Sequence, residues 1–208
     1  MATEVIGKVL SEYDDDNLIP AFGFGDSTTL DRSAFPFFPD RPSRGFEEVV
    51  LRYKELAPKV VMAGPTNFAP AIDAACAIVQ QTRMYHILII IADGQVTSRM
   101  HTEAAIVRAS GLPLSIVVVG VGDGPWEQMD SFDDGLPERK FDNFQFVNLT
   151  KVVQENPTNP DVAFAIAALM EIPEQSVERP PSSSGLCPLN PTHIPTSPPS
   201  SPPPRAHF

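Results

Sequence analysis

The sequence predicts an α/β fold with a doubly wound, mostly parallel sheet. Residues 85–92 and 114–120 are nearly unbroken runs of branched apolar side chains, the pattern of strands that helices cover on both faces. Between these runs, residues 102–110 have the composition of a crossover helix. The two strands are therefore predicted to be parallel neighbours with a right-handed connection, as α/β domains require.

The spacing of apolar residues predicts the other elements in chain order. A helical face near the start combines Ile6 and Val9 with their apolar neighbours. A short strand follows at 19–25, after the acidic run 14–16 breaks that helix. The further predicted elements are helices at 45–57, 67–81 and 161–170, a strand at 141–149 and a long loop at 26–44. In the last helix, Val162, Ile166 and Leu169 are predicted to face inward.

Length and composition predict one folded domain and a tail. The chain has 208 residues, 42% of them hydrophobic, which is enough apolar material for a single core. Ten of the 23 prolines lie in residues 180–208, where Arg205 is the only Lys, Arg, Asp or Glu. Few large apolar side chains remain there to offset the entropy of folding. We therefore predict a domain at 1–176 and a disordered Pro/Ser-rich tail at 177–208.

Charge and apolar-run length exclude several classes of partner. The net charge of −11 includes no basic stripe, so nucleic-acid binding is not expected. Apolar runs such as 87–92 are far below the ~20 residues of a transmembrane helix, and Glu4, Glu12 and Asp14 do not fit a signal peptide. The chain is accordingly expected in the cytoplasm or nucleus. Two cysteines, Cys76 and Cys187, cannot form a RING-type zinc module, and no zinc is expected.

Polar loops at the ends of the predicted strands are the candidate sites for chemistry. Asp93 directly follows a buried strand, and Thr66 precedes a helix, so both are placed where ligands gather in open parallel sheets. Their oxygens suit a hard cation such as Mg²⁺. The alternatives are that Asp93 caps a turn and that Thr66 caps the helix. Asp26 and Asp123, beside glycines, fit turn residues better than ligands.

Five motifs in order resemble the copine-type von Willebrand A domain, and in particular the plant ubiquitin ligases that join this domain to a C-terminal RING. The resemblance covers residues 1–176. The sequences that carry it are FGFGD at 22–26, GPTNFAP at 64–70, LIIIADGQVT at 88–97, SIVVVGVGDGPW at 115–126 and FDNFQFV at 141–147.

The resemblance implies a Rossmann-like frame with a metal-ion-dependent adhesion site. Thr66 and Asp93 match its threonine and aspartate ligands. The family's first central strand, with its Asp-x-Ser-x-Ser motif, has no counterpart in this sequence. The implied site is therefore a remnant that binds Mg²⁺ or Ca²⁺ weakly. The strands at 19–25 and 85–92 are expected to have open edges, so protein partners are expected at the metal-site face or at these edges.

By this resemblance the chain is expected to be a protein-interaction module linked to protein ubiquitination. The family implies E3 ubiquitin-protein ligase activity, but without a RING we expect no catalysis by this chain alone. One alternative is a metal-dependent hydrolase that uses Asp93 and Asp26. Another is a truncated, non-functional product that does not fold stably.

Overall fold

A computed structural model describes residues 6–7, 9, 14–136, 139–170 and 172. Its strands are β1 (Leu18–Ile19), β2 (Phe22–Phe24), β3 (Ala34–Pro36), β4 (Ser43–Arg44), β5 (His86–Ala92), β6 (Leu114–Gly120) and β7 (Phe144–Asn148). Its helices are α1 (Gly45–Leu56), α2 (Ala69–Thr82), α3 (Arg99–Ala109), α4 (Glu127–Asp134), α5 (Leu149–Glu155) and α6 (Pro160–Leu169), and Ala57–Lys59 is a 3₁₀ turn. Within these residues, no helix has the length and apolar character needed to cross a bilayer.

Three parallel strands in the order β5-β6-β7 form the main sheet. Leu88 is opposite Ile116, and Val118 is opposite Phe146. The α3 crossover joins β5 to β6, as the sequence predicts. All seven residues of β6 are buried, because β6 has a strand on each side and helices over both faces.

The helices lie on both sides of this sheet, which confirms the doubly wound architecture. On one face, Ile72 of α2, Ala105 of α3 and Phe132 of α4 pack with Ile116 and Val118. On the other face, the buried partners of Val117 and Val119 are Ile6, Val147, Leu149, Phe164, Ala168 and Ile172. Each face of β6 therefore has its own apolar layer.

Among the described residues, β5 forms an edge of the main sheet that has no partner strand. β5 is an edge strand, and Ile90 is its only buried residue, while Ile91 is 36% exposed. β2 and β3 pair antiparallel in a separate two-stranded sheet, and so do β1 and β4. Among the described residues, no strand pairs with the outer edge of β5. This agrees with the open edge that the sequence predicts at 85–92.

Two predictions about the elements are wrong. The strand at 19–25 is two strands in different sheets, interrupted at Pro20, which lacks the N–H that a ladder requires. On α6, Val162 and Ile166 are 58% and 65% exposed, whereas Phe164 and Ala168 are buried. Leu169, the third residue predicted to face inward, does pack against the core and is partly buried. The large ring of Phe164 fixes the inward face, which spacing alone placed on the neighbouring stripe.

The other predicted helices and strands within residues 14–170 agree with the observed bounds to within a few residues. Some observed elements were not predicted. The loop predicted at 26–44 contains β3 and β4, and α4 and α5 have no counterpart in the prediction. These elements have two to eight residues each, too few for a clear periodicity. The predicted domain boundary at 176 and the tail at 177–208 lie outside the described residues.

Candidate functional site

Asn67 holds three polypeptide segments together beside the start of α2. Its amide nitrogen donates to the carbonyl of Asp31 at 2.9 Å, and its side-chain oxygen accepts from the backbone N–H of Ala69 at 3.0 Å. The hydroxyl of Thr102, on α3, lies 3.4 Å from the same oxygen. Asn67 is 7% exposed, so these bonds form away from water. The loop after β2 is thereby fixed against the first turns of α2 and α3.

Thr66 is fixed by the loop that follows β5. Its N–H donates to the Thr97 hydroxyl at 3.1 Å, and its carbonyl accepts from the N–H groups of Thr97 and Ser98 at 2.9 and 3.3 Å. The alternative that Thr66 caps α2 is wrong. The N-cap residue of α2 is Phe68, and it has no side-chain cap. The N–H of Ala69, at the start of the helix, donates to the Asn67 side chain instead. The structure thus brings the Thr66 loop against the segment that begins at Asp93.

Asp93 is exposed at the end of β5. It makes no hydrogen bond or ion pair with any other described residue, so the alternative turn-capping role has no support in these contacts. Its carboxylate is available to solvent at the carboxyl end of the parallel sheet, where ligands bind in this class of fold.

Asp26 has a structural role in its own turn. Its carboxylate accepts from the Thr28 hydroxyl at 2.5 Å, from the Thr29 N–H at 2.9 Å and from the Thr29 hydroxyl. Burial raises the pKa of Asp26, but these hydrogen bonds outweigh burial, and the net pKa lies below its usual value of 3.8. The carboxylate is committed to the turn, which matches the sequence interpretation.

The loop after β6 is a glycine turn. Gly122 and Gly124 have φ angles of 94° and 84°, which side chains with a Cβ rarely adopt. The N–H of Gly122 donates to the Thr150 hydroxyl at 2.9 Å. Asp123 between them is exposed, in agreement with its interpretation as a turn residue.

The side-chain oxygens that Thr66 and Asp93 offer to a metal suit a hard cation but are few. They comprise one carboxylate and one hydroxyl, and the described residues contain no group of three or more His, Cys, Asp or Glu that could hold a metal. Mg²⁺ and Ca²⁺ take six or more oxygen ligands. The fit is therefore partial, and water would have to supply the other ligands. Cys76 is 1% exposed inside the core, as predicted, and is not part of this region.

Sequence reasoning missed the residues that position the loops. Asn67 and Thr97 are polar residues next to predicted strand and helix ends, a signal that does not reveal which neighbour each contacts. Gln95 also donates to Glu127 at 2.8 Å and links the loop after β5 to the start of α4. The contacts of Thr97 with Thr66, of Asn67 with Asp31 and of Gln95 with Glu127 join residues more than 30 positions apart in the chain, beyond the reach of local patterns.

Comparison with known proteins identifies relatives of this chain. The copine family model matches residues 1–183. The E3 ubiquitin-protein ligases RGLG1 and RGLG2 of Arabidopsis thaliana are 51% and 53% identical over 190 residues, covering 84% of this chain and 39% and 41% of those proteins. Copine family protein 2 of Caenorhabditis elegans is 49% identical over 176 residues, covering 83% of this chain and 2% of that protein.

Comparison with solved structures finds the manganese-loaded Plasmodium vivax TRAP protein, 13% identical, with a TM-score of 0.47, covering 74% of this chain and 63% of that one. This chain spans less than half the length of the RGLG1 and RGLG2 ligases. The family match covers most of the sequence, including the five motifs and both candidate ligands. The chain belongs to the copine family.

Proposed function

We propose that this domain is a protein-interaction module that binds a partner through a weak divalent-cation site at Thr66 and Asp93. The observation that carries the proposal is the exposed Asp93 carboxylate at the end of β5, which makes no hydrogen bond or ion pair with another described residue. The Thr66 loop is fixed by three hydrogen bonds to Thr97 and Ser98. An ordered hydroxyl-bearing loop and a free carboxylate are suitable components of such a site.

In this proposal the cation connects the domain to its partner. Asp93 supplies one negative charge and Thr66 one neutral oxygen to Mg²⁺ or Ca²⁺, and water fills most other positions. An acidic side chain of a partner protein would replace one of these waters. Because so little charge faces the cation, affinity without a partner should be low, with a Kd of about 1 mM or weaker.

Calorimetric titration with MgCl₂ and CaCl₂ tests the site. We expect weak binding by the wild-type chain, none by Asp93→Ala, and weaker binding by Thr66→Ala. Asp123→Ala is the matched control, because it removes an exposed loop carboxylate at the end of the neighbouring strand. Equal heats from Asp93→Ala and the wild type would refute the assignment. So would tight binding that Asp123→Ala abolishes.

We further propose a role in protein ubiquitination, as a module that selects the protein to be modified, in the cytoplasm or nucleus. The support is the identity of about half to relatives named E3 ubiquitin-protein ligases. Since the chain spans under half of those ligases, the module alone should transfer no ubiquitin. In a reconstituted reaction with activating and conjugating enzymes, we expect no ubiquitin conjugates above background. Conjugates that require this chain would contradict the proposal.

A further inference from the structure

β7 forms the opposite edge of the main sheet, and the backbone groups that it turns outward can be identified. The strand order β5-β6-β7 gives β7 one partner among the described residues. The Asn143 carbonyl accepts from the Ile116 N–H at 2.8 Å, so the odd-numbered residues of this segment bond to β6. Backbone groups alternate between the two sides of a strand in a parallel pair. The N–H and C=O groups of Phe144 and Phe146 therefore point away from β6.

The composition of β7 does not oppose pairing with another strand. Its sequence, FQFVN, contains no Lys, Arg, Asp, Glu or Pro, although such residues commonly protect the edge strands of natural sheets. Three of its five side chains are Phe or Val, which favour extended backbone. Protection of this edge must therefore come from residues outside the strand.

Helix α4 lies beside this edge and is held there by two pairs of aromatic rings. The rings of Phe132 and Phe144 pack edge to face with centroids 5.9 Å apart, and both side chains are fully buried. Trp126, the residue before the helix, packs against Phe146 with centroids 5.4 Å apart. These contacts fix both ends of α4 against the strand and so determine where its polar side chains lie.

Asp133 lies next to Phe132 and occupies an outward N–H of the strand. Its carboxylate accepts from the Phe146 N–H at 3.3 Å, across 13 positions of the chain. The Phe144 N–H lies 3.5 Å from the carboxylate of Asp142. Both N–H groups that an added strand would use are therefore already engaged by carboxylates of this chain.

Arg139 joins the two carboxylate-bearing segments. Its guanidinium donates to the Asp142 carboxylate and to the Asp133 carbonyl, both at 2.6 Å, and to the Leu136 carbonyl at 3.3 Å. The side chain of Arg139 is only 8% exposed, whereas that of Asp142 is 54% exposed. Because the guanidinium is planar and its donors have fixed directions, these three bonds hold the end of α4 and the start of β7 as one unit.

We propose that Asp133, Arg139 and Asp142 form a seal that prevents β7 from pairing with a second copy of this chain. An incoming strand would have to displace a charged acceptor from each outward N–H, and hydrogen bonds to charged groups are stronger than neutral ones. Without the seal, two β7 strands would pair across a two-fold axis. This inference goes beyond the cation site and does not depend on Thr66 or Asp93, so EDTA should not alter it.

Amide hydrogen exchange in dilute protein tests whether the carboxylate holds the edge. In Asp133→Ala, exchange at Phe146 should be at least about tenfold faster than in the wild type, because the N–H loses its acceptor. Asp133→Asn keeps an acceptor oxygen and should exchange more slowly than Asp133→Ala. Asp130→Ala is the matched control, since it removes an exposed carboxylate one turn earlier on α4 and should leave Phe146 unchanged. Equal effects of Asp130→Ala and Asp133→Ala would overturn the proposal.

Sedimentation in buffer of physiological ionic strength, which screens the net charge of −11, tests whether the seal prevents association. We expect Asp133→Ala to form a dimer at concentrations where the wild type and Asp130→Ala do not, with the Phe144 and Phe146 amides becoming protected as it forms. Asp142→Ala leaves α4 unchanged and should also associate, so the test holds even where Asp133→Ala does not fold by circular dichroism.

Two outcomes of the sedimentation experiment would refute the seal. One is that every variant that folds, Asp142→Ala included, associates no more than the wild type. The other is that the variants associate but the amides of β5, and not those of β7, become protected.

Discussion

β5 and β6 have nearly the same composition but very different surroundings. Each is a seven-residue strand dominated by branched apolar side chains. Every residue of β6 is buried, whereas only Ile90 is buried in β5. The difference arises from neighbours, because β6 lies between two strands and β5 has one. Burial of an apolar strand therefore depends on what pairs with both its edges, and composition alone does not determine it.

This contrast divides the molecule into a closed half around β6 and β7 and an open half around β5 and β2. In the closed half, apolar packing on both faces of β6 holds the structure together. In the open half, β2 and β5 share no ladder, and polar contacts such as those of Asn67 position the loops. We expect the free energy of unfolding to reflect this division.

A large difference in stability is expected between matched substitutions in the two strands. Ile116→Ala should lower the free energy of unfolding by about 2–5 kcal/mol, because it creates a cavity in a fully buried layer. Ile91→Ala removes a side chain that is 36% exposed and should cost about 1–1.5 kcal/mol. Urea unfolding measures both. Equal costs would show that the two strands are equivalent and would break the comparison.

Asn67 tests whether polar contacts stabilise the open half. Asn67→Ala should cost about 1–3 kcal/mol, since it leaves the buried Ala69 N–H and the Asp31 carbonyl without their partner. Asn156→Ala is the control, because it removes an exposed amide whose bond to the Val152 carbonyl joins residues four apart. It should cost under about 1 kcal/mol. A smaller loss from Asn67→Ala than from the control would contradict the role of Asn67.

The lowered pKa of Asp26, which lies in the open half, predicts that the free energy of unfolding depends on pH. Its pKa in the folded chain is below 3.8, so its stabilising contribution is present above that value and is lost as the pH falls through the lower folded value. Between about pH 6 and pH 3, the wild type should therefore lose more stability than Asp26→Asn, which cannot titrate there. Chemical unfolding at both pH values measures this. Identical losses would indicate that the Thr28 and Thr29 contacts do not favour the charged form.

The smallest expected effect lies on the outer surface of the closed half. Ile166 is 65% exposed on α6, so Ile166→Ser should change the free energy of unfolding by no more than about 0.5 kcal/mol. Phe164→Ala on the same helix should cost about 3–5 kcal/mol, because Phe164 is fully buried. Thermal melting of both variants would show whether the inward face is correctly assigned. A large loss from Ile166→Ser would favour the face predicted from spacing.

Long apolar runs were predicted well from the sequence, and short elements and helix faces were predicted poorly, for a physical reason. The runs at 85–92 and 114–120 and the helix between them specify a parallel pair through local composition. The break at Pro20 follows from the missing N–H of proline, and the inward face at Phe164 depends on tertiary neighbours; the spacing of apolar residues includes neither. At the candidate site, Thr66 and Asp93 were found through short motifs. Asn67 and Thr97 were missed because their partners are distant in the chain.

The absence of any charged residue along β5 also affects how the purified protein should be stored. Long-range repulsion between copies that each carry a charge of −11 is then the main obstacle to strand edges meeting in solution. Added salt shortens that repulsion to about 8 Å at physiological ionic strength, and acidification toward the isoelectric point near 4.7 removes it. Dilute, slightly alkaline buffer of low ionic strength should therefore delay precipitation.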